Sequence, residues 1–155
     1  MNNVLIKNTA TDVSNVSFSE EVIHFGQSHA LVGIVTRPSH ANANAELPAV
    51  VLLNAGLLHR VGPNRTYVQI ARALARLGFT VLRFDFSGMG DSRPREDHLP
   101  YVQSAPAEAK EAMDWLTAHF GQKRFVMMGH CAGAGFSFLL AGQDARVVGA
   151  AVINF

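Results

Sequence analysis

One cysteine in this sequence lies where its side chain could act as a nucleophile. The segment 124–133 reads RFVMMGHCAG, in which an apolar run leads through glycine and histidine to Cys131, alanine and a second glycine. A nucleophile on a tight strand-to-helix turn stands clear of the backbone, and small residues two positions away let strand and helix approach closely. The start of that helix favours a thiolate and a developing oxyanion. The alternative is an inert, buried cysteine in a glycine-rich packing turn.

The elements around Cys131 follow a pattern typical of an α/β fold. Strands that alternate with amphipathic helices indicate right-handed βαβ units and a parallel sheet, here preceded by an antiparallel hairpin. Asn64 is the expected N-cap of the first helix, and Gly78 is expected to end it. We expect strands at 20–25, 29–36, 50–53, 79–86, 124–128 and 147–153. Helices are expected at 67–77, from the end of a polar loop at Tyr101 to 120, and at 132–141.

Composition and charge limit the classes of function. Thirteen lysines and arginines oppose twelve aspartates and glutamates, and this net charge of +1 argues against nucleic acid or an anionic membrane as the main partner. With 48% hydrophobic residues among 155, the chain can form one folded domain, which we place at 19–155 after a loose polar lead-in at 1–18. Cys131 is the only cysteine, so no disulfide forms within the chain and a cytoplasmic location is expected.

Two other interpretations have weaker support. The segment 125–142 carries no formal charge, as a membrane span would, but four glycines and a histidine interrupt it, so a strand, a turn and a helix are predicted instead. The segment 87–92 contains G-x-G after a strand, as in a dinucleotide-binding domain, yet the third glycine of that motif is missing. Neither a phosphate-binding G-x-x-x-x-G-K nor a metal-ligand spacing occurs in the sequence. We therefore expect no cofactor and no metal.

Three segments in order resemble the α/β-hydrolase family. Residues 50–79 match the place of the family's oxyanion loop and following helix, and VLRFDFSGMGDS at 81–92 is similar to its D-x-x-G-x-G-x-S strand and loop. GHCAG at 129–133 is similar to its nucleophile elbow G-x-S-x-G, with cysteine in place of serine. The resemblance covers about residues 20–155 and implies a three-layer, mostly parallel sheet. Cysteine at the elbow also occurs in dienelactone-hydrolase-like members and in exosortase-associated hydrolases, and the choice between them stays open.

The resemblance also implies a role for each residue of the site. Cys131 becomes the nucleophile that attacks an acyl ester, thioester or related bond of a small-molecule substrate. The backbone N–H groups of Ala132 and Leu57 become the donors of the oxyanion hole. Side chains of neighbouring residues on such a turn point apart, so His130 is expected to have a structural role, and His59 is expected to be a surface histidine of the oxyanion loop.

Two members of the family's catalytic triad have no counterpart in this sequence. The family places an acid and then a histidine after the nucleophile, but no histidine follows His130, and the one later acid, Asp144, is expected in a solvated turn. We therefore expect a hydrolase truncated after its sixth strand, whose last strand, 147–153, is an exposed edge open to self-association. The rival hypothesis is a non-catalytic piece of this fold that acts by binding.

Overall fold

The computed structural model describes residues 17–39 and 46–153, which form a six-stranded sheet with three α-helices packed on it. The strands are β1 (Phe18–Phe25), β2 (Leu31–Pro38), β3 (Ala49–Leu53), β4 (Val81–Phe84), β5 (Phe125–His130) and β6 (Val147–Ile153). The helices are α1 (Thr66–Arg76), α2 (Tyr101–Phe120) and α3 (Ala132–Gln143). The expected fold class is confirmed. Residues 1–16, most of the predicted lead-in, lie outside the described residues.

The order of the strands brings together two loops at the carboxyl ends of the parallel strands. The order is β1-β2-β4-β3-β5-β6, with β1, β2 and β4 antiparallel in turn and β4, β3, β5 and β6 parallel. The register of the central pair places Leu53, the last residue of β3, beside Gly129 of β5. Since parallel strands end on the same side, the loop after β3 and the turn after β5 leave the sheet next to each other.

Alternate residues of the central strands face two different layers of helix. All five residues of β3 are buried, as a continuous apolar run predicts for a strand covered on both faces. Val50 and Leu52 pack in a cluster with Tyr67 of α1, whereas Val51 packs in a second cluster with Met113 of α2. The predicted three-layer arrangement is therefore confirmed.

The start of α1 differs from the prediction. Pro63 opens a short 3-10 turn (Pro63–Arg65) that contains Asn64 at φ 48°, and the helix begins only at Thr66. No side chain caps this helix; the backbone N–H of Tyr67 instead donates to the Val61 carbonyl at 3.1 Å. The prediction of Asn64 as the N-cap was therefore wrong, because the 3-10 turn places a backbone carbonyl where a capping side chain was expected.

A buried arginine of the sheet is paired with a carboxylate from another strand. Arg83 on β4 has 8% of its side chain exposed, and its Nη2 lies 3.1 Å from Oε1 of Glu20 on β1. Nη2 of Arg72 lies 2.5 Å from the other oxygen of Glu20. Burial by itself raises the pKa of Glu20, but hydrogen bonds from Arg72 and Arg83 outweigh it and hold that pKa below its ordinary value of 4.5.

We expect Glu20→Gln to lower the free energy of unfolding by about 1 kcal/mol near neutral pH, because solvent screens a partly exposed ion pair. Since the folded-state pKa is lowered, the contribution of Glu20 is complete above 4.5 and is lost as the pH falls through the folded-state pKa. Urea unfolding followed by the fluorescence of Trp115 measures the difference, with exposed Glu21→Gln as the control. A difference that does not change with pH would contradict the assignment.

The described residues include no helix that is both long and apolar enough to cross a bilayer. The uncharged segment 125–142 is divided between β5 and α3, as predicted. Strand β6 forms one edge of the sheet, and Val148 and Val152 on it are about half exposed.

Candidate active site

Strand β5 passes into α3 through one residue, Cys131. The strand ends at His130 and the helix begins at Ala132. Cys131 has φ 54° and ψ −117°, a conformation that L-residues rarely adopt and that costs on the order of 1–3 kcal/mol. The residue is exposed. The inert, buried cysteine that the sequence allowed is therefore not what the structure shows.

Two glycines make this turn possible, and we call the segment 129–133 the elbow. A Cβ atom on Gly129 would overlap the backbone of Gly133 and lie 2.7 Å from the Ala134 nitrogen. A Cβ on Gly133 would lie 2.6 Å from the Leu53 carbonyl oxygen and 2.7 Å from that of Asn54. The elbow thus packs backbone against backbone, both within itself and against the end of β3.

Helix α3 directs its N-terminus at Cys131. The Cys131 carbonyl accepts the N–H of Ala134 at 3.0 Å, so the helical hydrogen bonds begin at the cysteine itself. The first N–H groups of a helix have no intrahelical acceptor, and they carry the positive end of the helix dipole. The amide of Ala132, an expected oxyanion donor, belongs to this group. The position favours negative charge next to the Cys131 sulfur.

The loop after β3, residues 54–58, is held by the buried side chain of Asn54. Its Nδ2 donates to the Leu58 carbonyl at 2.8 Å and to Oδ1 of Asp85 at 3.1 Å, and its Oδ1 accepts the N–H of Phe86 at 3.0 Å. Leu57 lies in this loop after Gly56, which has φ 60°, and its side chain is exposed. One amide side chain therefore joins the 54–58 loop to the end of β4.

Asp85, fully buried at the end of β4, connects that loop to the segment that follows β4. Its Oδ1 accepts the backbone N–H of Arg60 at 2.6 Å, and its Oδ2 accepts both the Arg60 guanidinium and the N–H of Asp91. A Cβ on Gly90 would overlap the Asp85 carboxylate. In the motif D-x-x-G-x-G-x-S, the aspartate and the second glycine therefore form one packed unit.

His59, expected as a surface histidine of the oxyanion loop, has 36% of its side chain exposed and also contacts this cluster. Its Nε2 lies 2.8 Å from an Arg60 nitrogen and 3.4 Å from Oδ2 of Asp91. Hydrogen bonds from Arg60 and His59 to Asp91 hold the pKa of that exposed carboxyl below its ordinary value. Donor atoms of His59, Asp85 and Asp91 lie within 4.8 Å of one another, as a metal site needs, but the Arg60 guanidinium contacts both carboxylates and supplies the positive charge there.

Tyr67 of α1 links the two strands that end at the site. Its hydroxyl donates to the Leu53 carbonyl at 3.0 Å and accepts the backbone N–H of His130 at 2.9 Å. Burial raises the pKa of Tyr67, and the hydrogen bond from His130 opposes this in part. His130 contributes this backbone contact next to Cys131, and the structural role expected of its side chain stays a prediction.

Asp144 lies at the amino ends of the parallel strands, whereas Cys131 lies at their carboxyl ends. It precedes β6, whereas Cys131 follows β5, and the two strands are parallel. Its carboxylate accepts hydrogen bonds from the Arg146 side chain at 3.0 and 2.8 Å and from the Arg146 backbone N–H at 3.0 Å. Asp144 thus pairs with Arg146 in the link before β6, but with only 14% of its side chain exposed it is less solvated than predicted.

An open apolar groove of about 790 Å³ begins at Ala132, next to Cys131. Its walls are parts of α2 and α3, including Tyr101, Phe136 and Leu139. Phe138, also in its wall, is 75% exposed. An apolar surface therefore adjoins the elbow.

The contacts of the polar residues that hold the site together were not predicted. Asn54 and Asp85 each follow a buried apolar strand, and a polar residue at such a position was a usable signal. Arg60 carries no such signal, because only the fold brings it to Asp85. Tyr67 was recognised as part of the inner face of α1, but the position of its hydroxyl depends on the packing of α1 against β3 and β5.

Residues 48–154 match the family model described as the alpha/beta hydrolase fold. The chain is 30% identical over 122 residues to the YcjY protein of Escherichia coli (strain K12), a match that covers 76% of this chain and 38% of that protein. It is 25% identical over 126 residues to the lysophosphatidylserine lipase ABHD12 of Xenopus tropicalis, covering 75% of this chain and 31% of that protein. The chain thus spans about a third of the length of these curated relatives.

A solved structure has the same arrangement of elements. The esterase Pf2001 of Pyrococcus furiosus superposes with a TM-score of 0.69 at 16% sequence identity, and the match covers 87% of this chain and 51% of that one. At this level of identity the likeness concerns the fold.

Proposed function

Since the chain belongs to the α/β-hydrolase fold family, we propose that it is part of a hydrolase that cleaves an acyl ester, a thioester or a related bond through a covalent intermediate on Cys131. The substrate is a small molecule with an acyl group. A lipase among the proteins of similar sequence supports acyl chemistry for this chain. The subfamily, whether dienelactone-hydrolase-like or exosortase-associated, and the cytoplasmic location stay predictions.

The observation that carries the proposal is the backbone of the elbow. A non-glycine residue at φ 54° between two glycines that tolerate no Cβ is strained, and strain of this kind persists where a reactive group must be presented. A packing turn with no chemical task would be more stable with glycine at position 131. The exposed thiol and the adjacent helix N-terminus supply what a nucleophile needs.

The proposed acylation step involves Cys131, Ala132 and Leu57. The Cys131 thiolate attacks the carbonyl carbon, an S–C bond forms, and the carbonyl electron pair moves to oxygen. The N–H groups of Ala132 and Leu57 then donate hydrogen bonds to this oxyanion. When the oxyanion collapses, the bond to the alkoxide or thiolate leaving group breaks and a thioester of Cys131 remains. Water hydrolyses that thioester to a carboxylic acid and the free thiol.

An aryl ester tests this step directly, because p-nitrophenolate leaves without a proton from the enzyme. We expect incubation with p-nitrophenyl acetate to add one acetyl group to the chain, located on Cys131 by peptide mass spectrometry. Cys131→Ala should show no adduct, and Cys131→Ser should lose most of the adduct because serine at this position has a far higher pKa. Absence of an adduct on the folded wild-type chain would overturn the proposal.

The rival function, a non-catalytic piece that acts by association, has one observation in its favour. Strand β6 is the edge of the sheet and presents Val148 and Val152 about half exposed, as a surface for strand pairing with a second copy would. The ester experiment separates the two hypotheses, because association through β6 gives no reason for Cys131 to be acylated.

A further inference from the structure

We propose that Tyr67 is a positioning residue for acyl transfer, which sets the distance between the Cys131 sulfur and the oxyanion donor of the 54–58 loop. This inference rests on the proposed function. Tyr67 itself touches neither substrate nor sulfur in the proposed reaction. It acts through two backbone groups, the carbonyl of Leu53 and the N–H of His130.

These two backbone groups belong to the residues that directly precede the 54–58 loop and the nucleophile. Leu53 is the last residue of β3 and immediately precedes the 54–58 loop, which carries Leu57. His130 is the last residue of β5 and immediately precedes Cys131. A single hydroxyl bonded to both groups therefore fixes the positions of the nucleophile and one oxyanion donor relative to each other. Cys131 directly follows His130, and Leu57 lies in the short loop that follows Leu53.

The surroundings of Tyr67 keep the hydroxyl in place. The residue is 2% exposed, and a Cβ on Gly62 would lie 2.7 Å from the ring, so the ring fills its space completely. Its backbone N–H is bonded to the Val61 carbonyl, which anchors the first turn of α1. The hydroxyl accepts a hydrogen bond from one strand end and donates one to the other. Its removal leaves the ring in place but takes away both of these hydrogen bonds.

The test compares two reactions of the same sulfur. Acylation by p-nitrophenyl acetate needs the oxyanion donors, whereas alkylation by iodoacetamide is a direct displacement at carbon that forms no oxyanion. We expect Tyr67→Phe to lower the acylation rate of Cys131 about tenfold and to leave the alkylation rate within about twofold. Loss of stability alone would change both rates together, so the ratio of the rates is the informative quantity.

Thr117→Val is the matched control. Its hydroxyl lies within hydrogen-bond distance of two carbonyl acceptors, those of Met113 and Gln122, at the end of α2 near the start of β5. Loss of this hydroxyl should leave the ratio of the two rates unchanged. A folded Tyr67→Phe chain with an unchanged ratio would overturn this inference alone. Absence of acylation in the wild-type chain would overturn the proposed function and this inference with it.

Hydrogen exchange of the wild-type chain gives a second test that does not need the variant to fold. The amide of His130 should exchange as slowly as that of its buried strand neighbour Gly129, because the Tyr67 hydroxyl accepts its proton. Exchange of the His130 amide at the rate of an exposed loop would overturn the inference.

Discussion

Replacing Gly129 with alanine is expected to lower the free energy of unfolding by at least about 3 kcal/mol. The added Cβ would overlap the backbone of Gly133 and lie 2.7 Å from the Ala134 nitrogen. Backbone at the start of a helix cannot rotate away as a flexible side chain can, so α3 would have to move off the sheet. The urea midpoint, followed by the fluorescence of Trp115, measures the loss.

Gly135→Ala is the control for this substitution, since it adds the same methyl group two residues beyond the elbow. Nothing lies within 4 Å of a Cβ at Gly135, and the position is inside α3. We expect the free energy of unfolding of this variant to rise by about 0.5–1 kcal/mol, because alanine has a higher helix propensity than glycine. Equal midpoints for the two variants would contradict the close approach of strand and helix at the elbow.

Replacing Asp85 with alanine is expected to lower the free energy of unfolding by about 3–5 kcal/mol, because it leaves the nearly buried guanidinium of Arg60 without its buried partner. The side chain of Asp85 is 0% exposed and that of Arg60 is 10% exposed. The same change removes an acceptor of the Asn54 amide and of the Arg60 backbone N–H. Urea unfolding measures the loss of stability.

The variant Asp91→Ala removes the exposed partner of Arg60 and serves as the comparison for Asp85→Ala, which removes the buried partner. The Asp91 carboxylate lies 2.7 Å from Nη2 of Arg60, but 61% of its side chain is exposed. Exposed ion pairs contribute little to stability, so the midpoint should hardly move. If Asp91→Ala proved as destabilising as Asp85→Ala, the cluster would depend on charge balance at the surface instead of on the buried carboxylate.

The elements of this fold were predictable because their signals are local. The apolar run of β3, the helical spacing in α1 and the glycines around Cys131 each lie within a few residues, and the structure has these elements close to where they were expected. The hairpin followed from the same kind of pattern, whereas the edge position of β6 was expected from the resemblance to the α/β-hydrolase family. The cap of α1 was mispredicted because a 3-10 turn over Pro63–Arg65 brings the Tyr67 N–H to the Val61 carbonyl, and no residue type indicates that acceptor.

The contacts that hold the site were predictable only in part, because they join residues far apart in the sequence. Tyr67 meets His130 across 63 positions, and Arg60 meets Asp85 across 25. Such contacts depend on the order of strands in the sheet, which places β3 between β4 and β5. The contact of His59 with Asp91 was not predicted for the same reason, since Asp91 reaches His59 only through the loop after β4.

The positive φ at Cys131 means that stability and reactivity favour different residues at this position. Glycine there would relieve strain on the order of 1–3 kcal/mol, a large share of the marginal stability of a domain, but it would remove the sulfur. Selection for thermal tolerance alone, in a laboratory library or in nature, would thus tend to erase the elbow's side chain. A cysteine at this position, despite that strain, agrees with the nucleophilic role proposed for it.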